Sequence, residues 1–326
     1  MRYSIDIIDK ARDEIQNRRN NALKTRQDRI SELKIKAPEI AKLAESLAQT
    51  NIQLCQAIIG GGGNTSELIE RIKNENLQTQ KNIKSFLSEF GYPSDYLEIP
   101  YTCPKCKDNG TIMGKNCGCY EELLMKYSVE ELNKSCKIAL RDFGEFKLEY
   151  YPVDKLPSGH TIRDMMLEVF NFCFEYANNF SNESPSLILN GNTGLGKTFL
   201  SSAIAKKVTE KGYSVVFDSV SNILRCIENE RFGRSNGDTM SVVLNADLVI
   251  LDDLGSECIN SFSGSILYEI INGRMNQNLP VIVSTNFSNN ELDSKYNERI
   301  ISRISSFLPV HFEGKDIRQI IIQNSY

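Results

Sequence analysis

Gly191-Asn192-Thr193-Gly194-Leu195-Gly196-Lys197-Thr198 fits the phosphate-loop pattern G-x-x-x-x-G-K-[ST] with no mismatch. The pattern constrains the fold because it has a mechanism. Glycines let backbone N–H groups curl round a polyphosphate, the helix that follows offers its N-terminus to the anion, and Lys197 adds a full charge. The flanks meet the same requirement. Ser186-Leu187-Ile188-Leu189-Asn190 reads as a short buried strand, and Phe199, Leu200, Ala203, Ile204 and Val208 follow at helical spacing. Gly191 to Phe199 are therefore the candidate nucleotide-binding residues, placed between a strand and an amphipathic helix.

Short apolar strands alternate with helical stretches from about residue 140, near 187–190, 213–218, 247–252, 280–285 and 310–313. Strand, helix, strand, helix implies an α/β fold, a parallel five-stranded sheet between helices. Asp247-Leu248-Val249-Ile250-Leu251-Asp252-Asp253 is a buried strand ending in two carboxylates. At such a tip Asp252 can hold Mg²⁺ together with the Thr198 hydroxyl, and Asp253 can polarise the attacking water. Glu257 is a second candidate for orienting water or magnesium. The strand Pro280-Val281-Ile282-Val283-Ser284-Thr285 delivers Asn286, an amide suited to a γ-phosphate or to the water. This layout suits P-loop proteins with an extra strand between the two nucleotide-binding strands. Arg299 and Arg303 are four apart and share one helix face, from which Arg303 can reach a neighbouring subunit's nucleotide as an arginine finger. Arg318 follows the last strand and can contact phosphates of its own subunit.

A second motif lies upstream. Cys103-Pro104-Lys105-Cys106 and Cys117-Gly118-Cys119 give C-x2-C, a ten-residue spacer and C-x-C, with Gly110, Gly114 and Gly118 where tight turns are needed. Four thiolates on two turns can close a tetrahedral structural zinc site with no open position for catalysis. The chain has nine cysteines, an odd count that argues against a disulfide framework. Cys55, Cys136, Cys173, Cys226 and Cys258 are scattered and read as core or neutral surface residues. A formal net charge of -4 argues against a strongly basic nucleic-acid binder, though not against local basic patches. No apolar run reaches the length of a membrane span and no signal-peptide core opens the chain, so a cytoplasmic protein without a membrane partner is expected.

The first 59 or so residues are highly charged, with apolar positions at helical spacings such as Ile5, Ile8, Ile15, Ile40, Leu43 and Leu47. Pro38 marks a helix start. Gly60-Gly61-Gly62-Gly63 is a break, Asn64 caps a further helix through Leu68, Ile72, Ile83 and Leu87, and Gly91 with Pro93 ends it. The expected division is a helical region over 1–92, a cysteine module and linker over 93–138, and an ATPase domain over 139–326. The helical region reads equally as a solvated bundle and as a partner-binding module.

Together these residues resemble the AAA+ ATPases, and within them the bacterial replicative helicase loaders of the DnaC/DnaI type. The stretches that carry the likeness are Asn190–Thr198, Leu251–Glu257, Leu267–Asn272, Ser284–Asn286 and Glu298–Ile304, with Gly91–Leu97 leading into the cysteine cluster. Phe143-Gly144-Glu145-Phe146 resembles the lead-in that packs near adenine in that family. The resemblance implies that Lys197 and Thr198 are Walker A, Asp252 and Asp253 Walker B, Asn286 sensor 1, Arg303 the finger and Arg318 sensor 2, with ATP, Mg²⁺ and Zn²⁺ as ligands. It also implies a function: binding the replicative DNA helicase through the amino-terminal part, delivering it to single-stranded DNA at replication initiation, and self-association through ATPase interfaces. Most AAA+ proteins carry Asp-Glu at Walker B where this chain has Asp-Asp, which points to slow hydrolysis. The chain stops soon after Arg318, so no carboxy-terminal helix-turn-helix is expected. Arg225, Arg231, Phe232 and Arg234 form a candidate single-strand contact. Two other readings remain open: a transposition helper ATPase, a class that usually lacks a cysteine module, and a nucleotide-gated adaptor with little hydrolysis.

Overall fold

The computed structural model describes residues 3–60, 65–134, 138–155, 159–258 and 260–323. The glycines expected to form a break at 61–63, the expected cap at Asn64, and Cys136 lie outside the described residues. The chain forms two compact units, Ala11–Glu121 and Met1–Lys10 with Glu122–Tyr326.

The first unit is built on three helices, α1 (Ile5–Lys36) from Ala11 onward, α2 (Pro38–Gly60) and α3 (Thr65–Glu89). Pro38 opens α2 as expected, because a fixed φ and a missing N–H cost nothing at the first helical position. Leu33, Ala37, Ile40, Ala41, Ile83 and Leu87 form a buried cluster. Ile15 is buried in α1, but Ile5, expected in the same apolar stripe, is 76% exposed. Beyond α3, Gly91 takes φ 77° and the Tyr92 N–H closes on the Leu87 carbonyl at 2.8 Å, a left-handed glycine cap. Tyr92 and Tyr96 then lie with ring centroids 4.8 Å apart. Arg26 and Arg29 of α1 donate to the carbonyls of Leu97 and Tyr96 at 3.0 and 2.9 Å. The cysteine module follows, with a hairpin of β1 (Thr111–Ile112) and β2 (Lys115–Asn116) and then the first turn of α4 (Gly118–Lys134), whose residues from Glu122 belong to the second unit. Met113 and Gly114 make the hairpin turn at φ 49° and 77°. Gly110 also has a positive φ, 74°, whereas Gly118, expected in a tight turn, instead opens α4.

The second unit is α/β. In order come α5 (Ile162–Asn178), β3 (Leu187–Asn190), α6 (Lys197–Glu210), β4 (Val215–Ser219), α7 (Val220–Arg231), α8 (Thr239–Asn245), β5 (Leu248–Leu254), α9 (Ser261–Asn276), β6 (Val281–Thr285), α10 (Asn289–Lys295), α11 (Glu298–Ile304), β7 (Leu308–His311) and α12 (Ile317–Gln323). The five strands are parallel in the order β4-β5-β6-β3-β7. The interposed strand expected from the motifs is β6, which separates β3 from β5, while β4 lies at the edge. Both faces of the sheet are covered, so its strands are apolar at successive positions instead of alternating with polar ones. Val216, Val249, Leu251, Val281 and Val283 join one core, with residues of α7, α8, α9 and α11. Phe217, Leu248, Ile250 and Ile282 join the other, with residues of α5 and α6. The sheet is thus a middle layer between helices, with the carboxyl ends of β3, β5 and β6 side by side.

Candidate nucleotide site and cysteine centre

The turn from β3 into α6 is shaped by close approach. Gly191, at φ 145°, lies against the Phe312 backbone, where a Cβ would have no room, and the Phe312 N–H bonds the Asn190 carbonyl at 2.8 Å. Gly194, at φ 80°, is crowded in the same way by the Asp316 carboxylate, and its carbonyl accepts from the Ile317 N–H at 3.0 Å. The segment after β7 is thereby laid along the phosphate loop, which places Ile317 and Arg318 at the rim. Tyr151, fully buried, donates its hydroxyl to the Leu195 carbonyl at 2.8 Å.

The resulting cleft has a volume of about 780 Å³. Thr193, Gly194, Leu195, Gly196, Lys197, Thr198 and Phe199 line it, with Asp252, Asp253, Asn286 and Arg318 opposite. Gly191 and Asn192 stand behind this lining and contribute their carbonyls, which accept from the Lys197 ammonium at 2.6 and 2.7 Å. A third bond joins Lys197 to Asn286 Oδ1 at 2.7 Å, and the Asn286 amide donates to Asp253 Oδ1 at 2.9 Å. Burial is the largest influence on Lys197 and brings its pKa down to about 8, against the pull of Asp252 and Asp253. Thr198 donates to Asp252 Oδ2 at 2.9 Å, and Ser284 donates to the same carboxylate. Burial raises the Asp252 pKa despite those two bonds. A hydroxyl and a carboxylate at contact distance are a hard-oxygen donor pair that fits Mg²⁺.

β5 breaks register with β6 between Leu251 and Leu254, and Asp253 takes φ 59°. This left-handed backbone turns the Asp253 carboxylate to Asn286. Aspartate and asparagine are among the few non-glycine residues that tolerate such a φ. Glu257 is not part of the cleft. It is 6% exposed and accepts from the Gly255 N–H at 2.9 Å and from the Tyr296 hydroxyl, so the expectation that it orients water or magnesium is corrected. The left-handed turns at Asp253 and Gly255 carry the chain away from the strand axis, which spacing alone does not reveal.

Phe146 also lines the cleft and stacks on Phe170 at 5.3 Å, with Phe199 at 5.5 Å and Tyr151 at 5.7 Å. Ile138, Ala139 and Tyr150 complete an apolar wall. Ser284, Phe146 and Tyr151 are thus site residues that the motifs did not assign. Only the likeness of Phe143–Phe146 to an adenine-side segment hinted at one of them. Arg303 lies on α11, away from this cleft, and its Nε donates to Asn272 Oδ1 at 3.0 Å; Arg299 is exposed. Phe232 is 60% exposed beside Phe262 at 5.7 Å, Arg234 lies over its ring, and Arg231 pairs with Glu269 at 3.1 Å. Arg225 donates to Asn222.

In the other unit, Cys103, Cys106, Cys117 and Cys119 bring their four Sγ atoms within 4.8 Å of one another. Cys103 to Cys117 is 3.8 Å and Cys106 to Cys119 is 3.5 Å. Tetrahedral Zn²⁺ with bonds of about 2.3 Å needs sulfurs roughly 3.8 Å apart, so the tetrad fits the ion. Asp108, 1% exposed, braces the first turn by accepting from the N–H groups of Thr102 and Cys103 at 2.9 and 2.8 Å. The Cys106 N–H helps to hold the Cys103 thiol down to about 7, while burial pushes Cys119 up. Of the scattered cysteines, Cys173 is buried, Cys226 half-buried and Cys258 exposed. Among the described residues, no helix is long and apolar enough to cross a membrane.

The sequence model of the family described as IstB-like ATP binding protein matches residues 176–304. The replicative helicase loader DnaI of Bacillus subtilis is 32% identical over 129 residues, covering 39% of this chain and 41% of that protein. The replicative helicase loader DnaC of Escherichia coli K12 is 25% identical over 132 residues, covering 40% of this chain and 54% of that protein. The chain thus spans about half the length of these curated relatives, or less. A crystal structure of the DnaC helicase loader aligns at 22% identity and a TM-score of 0.44, over 52% of this chain and 98% of that one. The likeness to helicase loaders read from the motifs is therefore found also in named relatives, and the family match over residues 176–304 contains both Gly191–Thr198 and the Asp252-Asp253 pair.

Proposed function

We propose that this chain is an ATP-dependent loader that binds a replicative DNA helicase and delivers it to single-stranded DNA, with ATP held by the second unit. The observation that carries this reading is the set Lys197, Thr198, Asp252, Asp253 and Asn286, joined by hydrogen bonds in a single cleft within the residues that the IstB-like ATP binding family matches, in a chain similar over part of its length to two replicative helicase loaders. Thr193 to Thr198 and the start of α6 cradle the phosphates, and Lys197 exchanges its carbonyl partners for phosphate oxygens. Thr198 and Asp252 hold Mg²⁺, which when bound neutralises charge on the phosphates. Ser284 keeps the Asp252 carboxylate aimed at Thr198, and Asn286 keeps Asp253 facing the γ-phosphate position. Asp253 polarises the attacking water; being one methylene shorter than the usual glutamate, it gives slow turnover that partners raise. Arg318 contacts phosphates from the rim of its own subunit, and Arg303 serves the site of a neighbouring subunit. The cysteine tetrad holds structural zinc beside the helices that bind the helicase.

The test mixes the purified chain with its cognate helicase and reads the elution on a sizing column, with and without ATP. A complex that then transfers helicase to single-stranded DNA supports the proposal, and the absence of any complex in either condition sinks it. The transposition-helper reading is tested by metal analysis, since that class usually lacks a cysteine module: a zinc content near zero would revive it.

A further inference from the structure

The residues just after β5 and the residues just before α11 grip each other. Glu257 is buried and ends on the Tyr296 hydroxyl, while its other oxygen holds the Gly255 N–H at 2.9 Å. Lys295 donates to the Gly255 carbonyl and lies over the Phe287 ring, which itself packs against Gly255. Thr285 donates to the Leu254 carbonyl at 2.8 Å. Tyr296 is followed by Asn297, whose side chain caps α11 by accepting from the Ile300 N–H at 3.0 Å. α11 then carries Arg303 two turns on. One small cluster therefore joins the Asp253 turn of a subunit's own site to the start of the helix that bears its arginine.

We infer that Glu257 is a positioning residue for Arg303: by anchoring Tyr296 it fixes the origin of α11, and so the reach of Arg303 into the neighbouring subunit's site. The inference rests on the proposed role of Arg303 in a neighbouring site. A buried carboxylate bonded to a buried tyrosine hydroxyl is a directional tie, one that packing alone does not supply. A displacement near 1 Å at a reacting group costs about a hundredfold in rate. Glu257 thus acts on its neighbour's nucleotide although it lies close in sequence to its own Walker B pair.

Mixing variants of the full-length protein separates action in the neighbouring site from action in the subunit's own. ATP turnover is measured with helicase and single-stranded DNA present for Glu257→Gln, for Lys197→Ala, and for equal mixtures of the two. Each variant alone turns over at least about tenfold slower than wild type. In the mixture about one interface in four pairs an unaltered site with an unaltered Arg303 helix, so about a quarter of the wild-type rate returns. If Glu257 serves its own site, the mixture gains nothing and the inference is overturned. Arg303→Ala mixed with Lys197→Ala is the control: failure there overturns the finger reading itself, whereas rescue there without rescue of Glu257→Gln overturns only this inference. Tyr296→Phe guards against misfolding and needs no turnover. Its amide hydrogen exchange should quicken over 297–305 while that of the Gly191–Thr198 loop stays as in wild type, and unchanged exchange over 297–305 counts against the tie.

Discussion

Lys197 is held by three oxygens, yet burial leaves its pKa at about 8 against an ordinary value of 10.5. A triphosphate selects the charged amine, so affinity is set by the fraction of Lys197 that is protonated. That fraction falls once pH passes about 8, more than two units earlier than for an ordinary lysine. The dissociation constant for a non-hydrolysable ATP analogue should therefore rise above pH 8, approaching tenfold per pH unit at the steepest. Lys197→Met should bind more weakly, with a flat profile from pH 7 to 9. Fluorescence titration across that range checks both, and a wild-type profile as flat as the variant's would remove Lys197 from phosphate binding. Asp253 gives the complementary case. Its φ of 59° is tolerated by asparagine as well, so Asp253→Asn should keep the turn and bind nucleotide within about threefold of wild type. Turnover should fall by at least about a hundredfold, the usual loss when a group that polarises a reacting water is removed. Turnover that survives the substitution rejects Asp253 as that group, and wild-type turnover that stays undetectable with helicase and DNA present selects the nucleotide-gated adaptor.

At the scale of elements, one side chain ties the starts of two strands to a helix end. Arg274 of α9 is fully buried and donates to the carbonyls of Val243 and Ala246 at 2.8 and 2.7 Å, and to those of Asp247 and Pro280 at 3.3 and 2.8 Å. It thereby joins the end of α8 to the starts of β5 and β6. Burial brings even its guanidinium pKa down, to about 10. Arg274→Leu takes a donor from four carbonyls, of which only that of Pro280 is seen to keep another, the Val249 N–H at 3.5 Å, and should cost about 3–5 kcal/mol in urea unfolding, as breaking a buried charged network does. A loss below about 1 kcal/mol would mean that water or relaxed backbone replaces the guanidinium. Arg274 was illegible in the sequence because its partners lie in other elements, whereas the phosphate loop was legible because its chemistry is written in consecutive residues. The same contrast divides the site. Lys197, Thr198, Asp252, Asp253 and Asn286 follow from strand ends and spacing. Ser284 and Tyr151 act through contacts that only the sheet order and the turn into α6 create. Glu257 shows the opposite failure: it is near Asp253 in sequence and is turned from the cleft by two positive φ values that no residue pattern announces.

On the scale of the whole molecule, each unit is organised round a different ligand chemistry: soft sulfur in Ala11–Glu121 and hard oxygen with backbone N–H groups in the other. The four thiols converge at distances that suit a tetrahedral ion, in a stretch whose only regular strands have two residues each. So small a module has little apolar surface to bury, and metal binding then becomes folding free energy. The nucleotide site, by contrast, sits on a sheet with both faces packed, and its ligand adds to a fold already supported. The expected results differ accordingly. Metal analysis should find one zinc per chain, and a chelator or Cys106→Ser should increase amide exchange throughout residues 103–119. ATP with Mg²⁺ at a hundredfold over its dissociation constant should stabilise the P-loop unit by about 2.7 kcal/mol, read as slower exchange in β3, α6 and β5. Protection of residues 103–119 that is indifferent to zinc removal would refute the structural-zinc reading while leaving the ATP result intact.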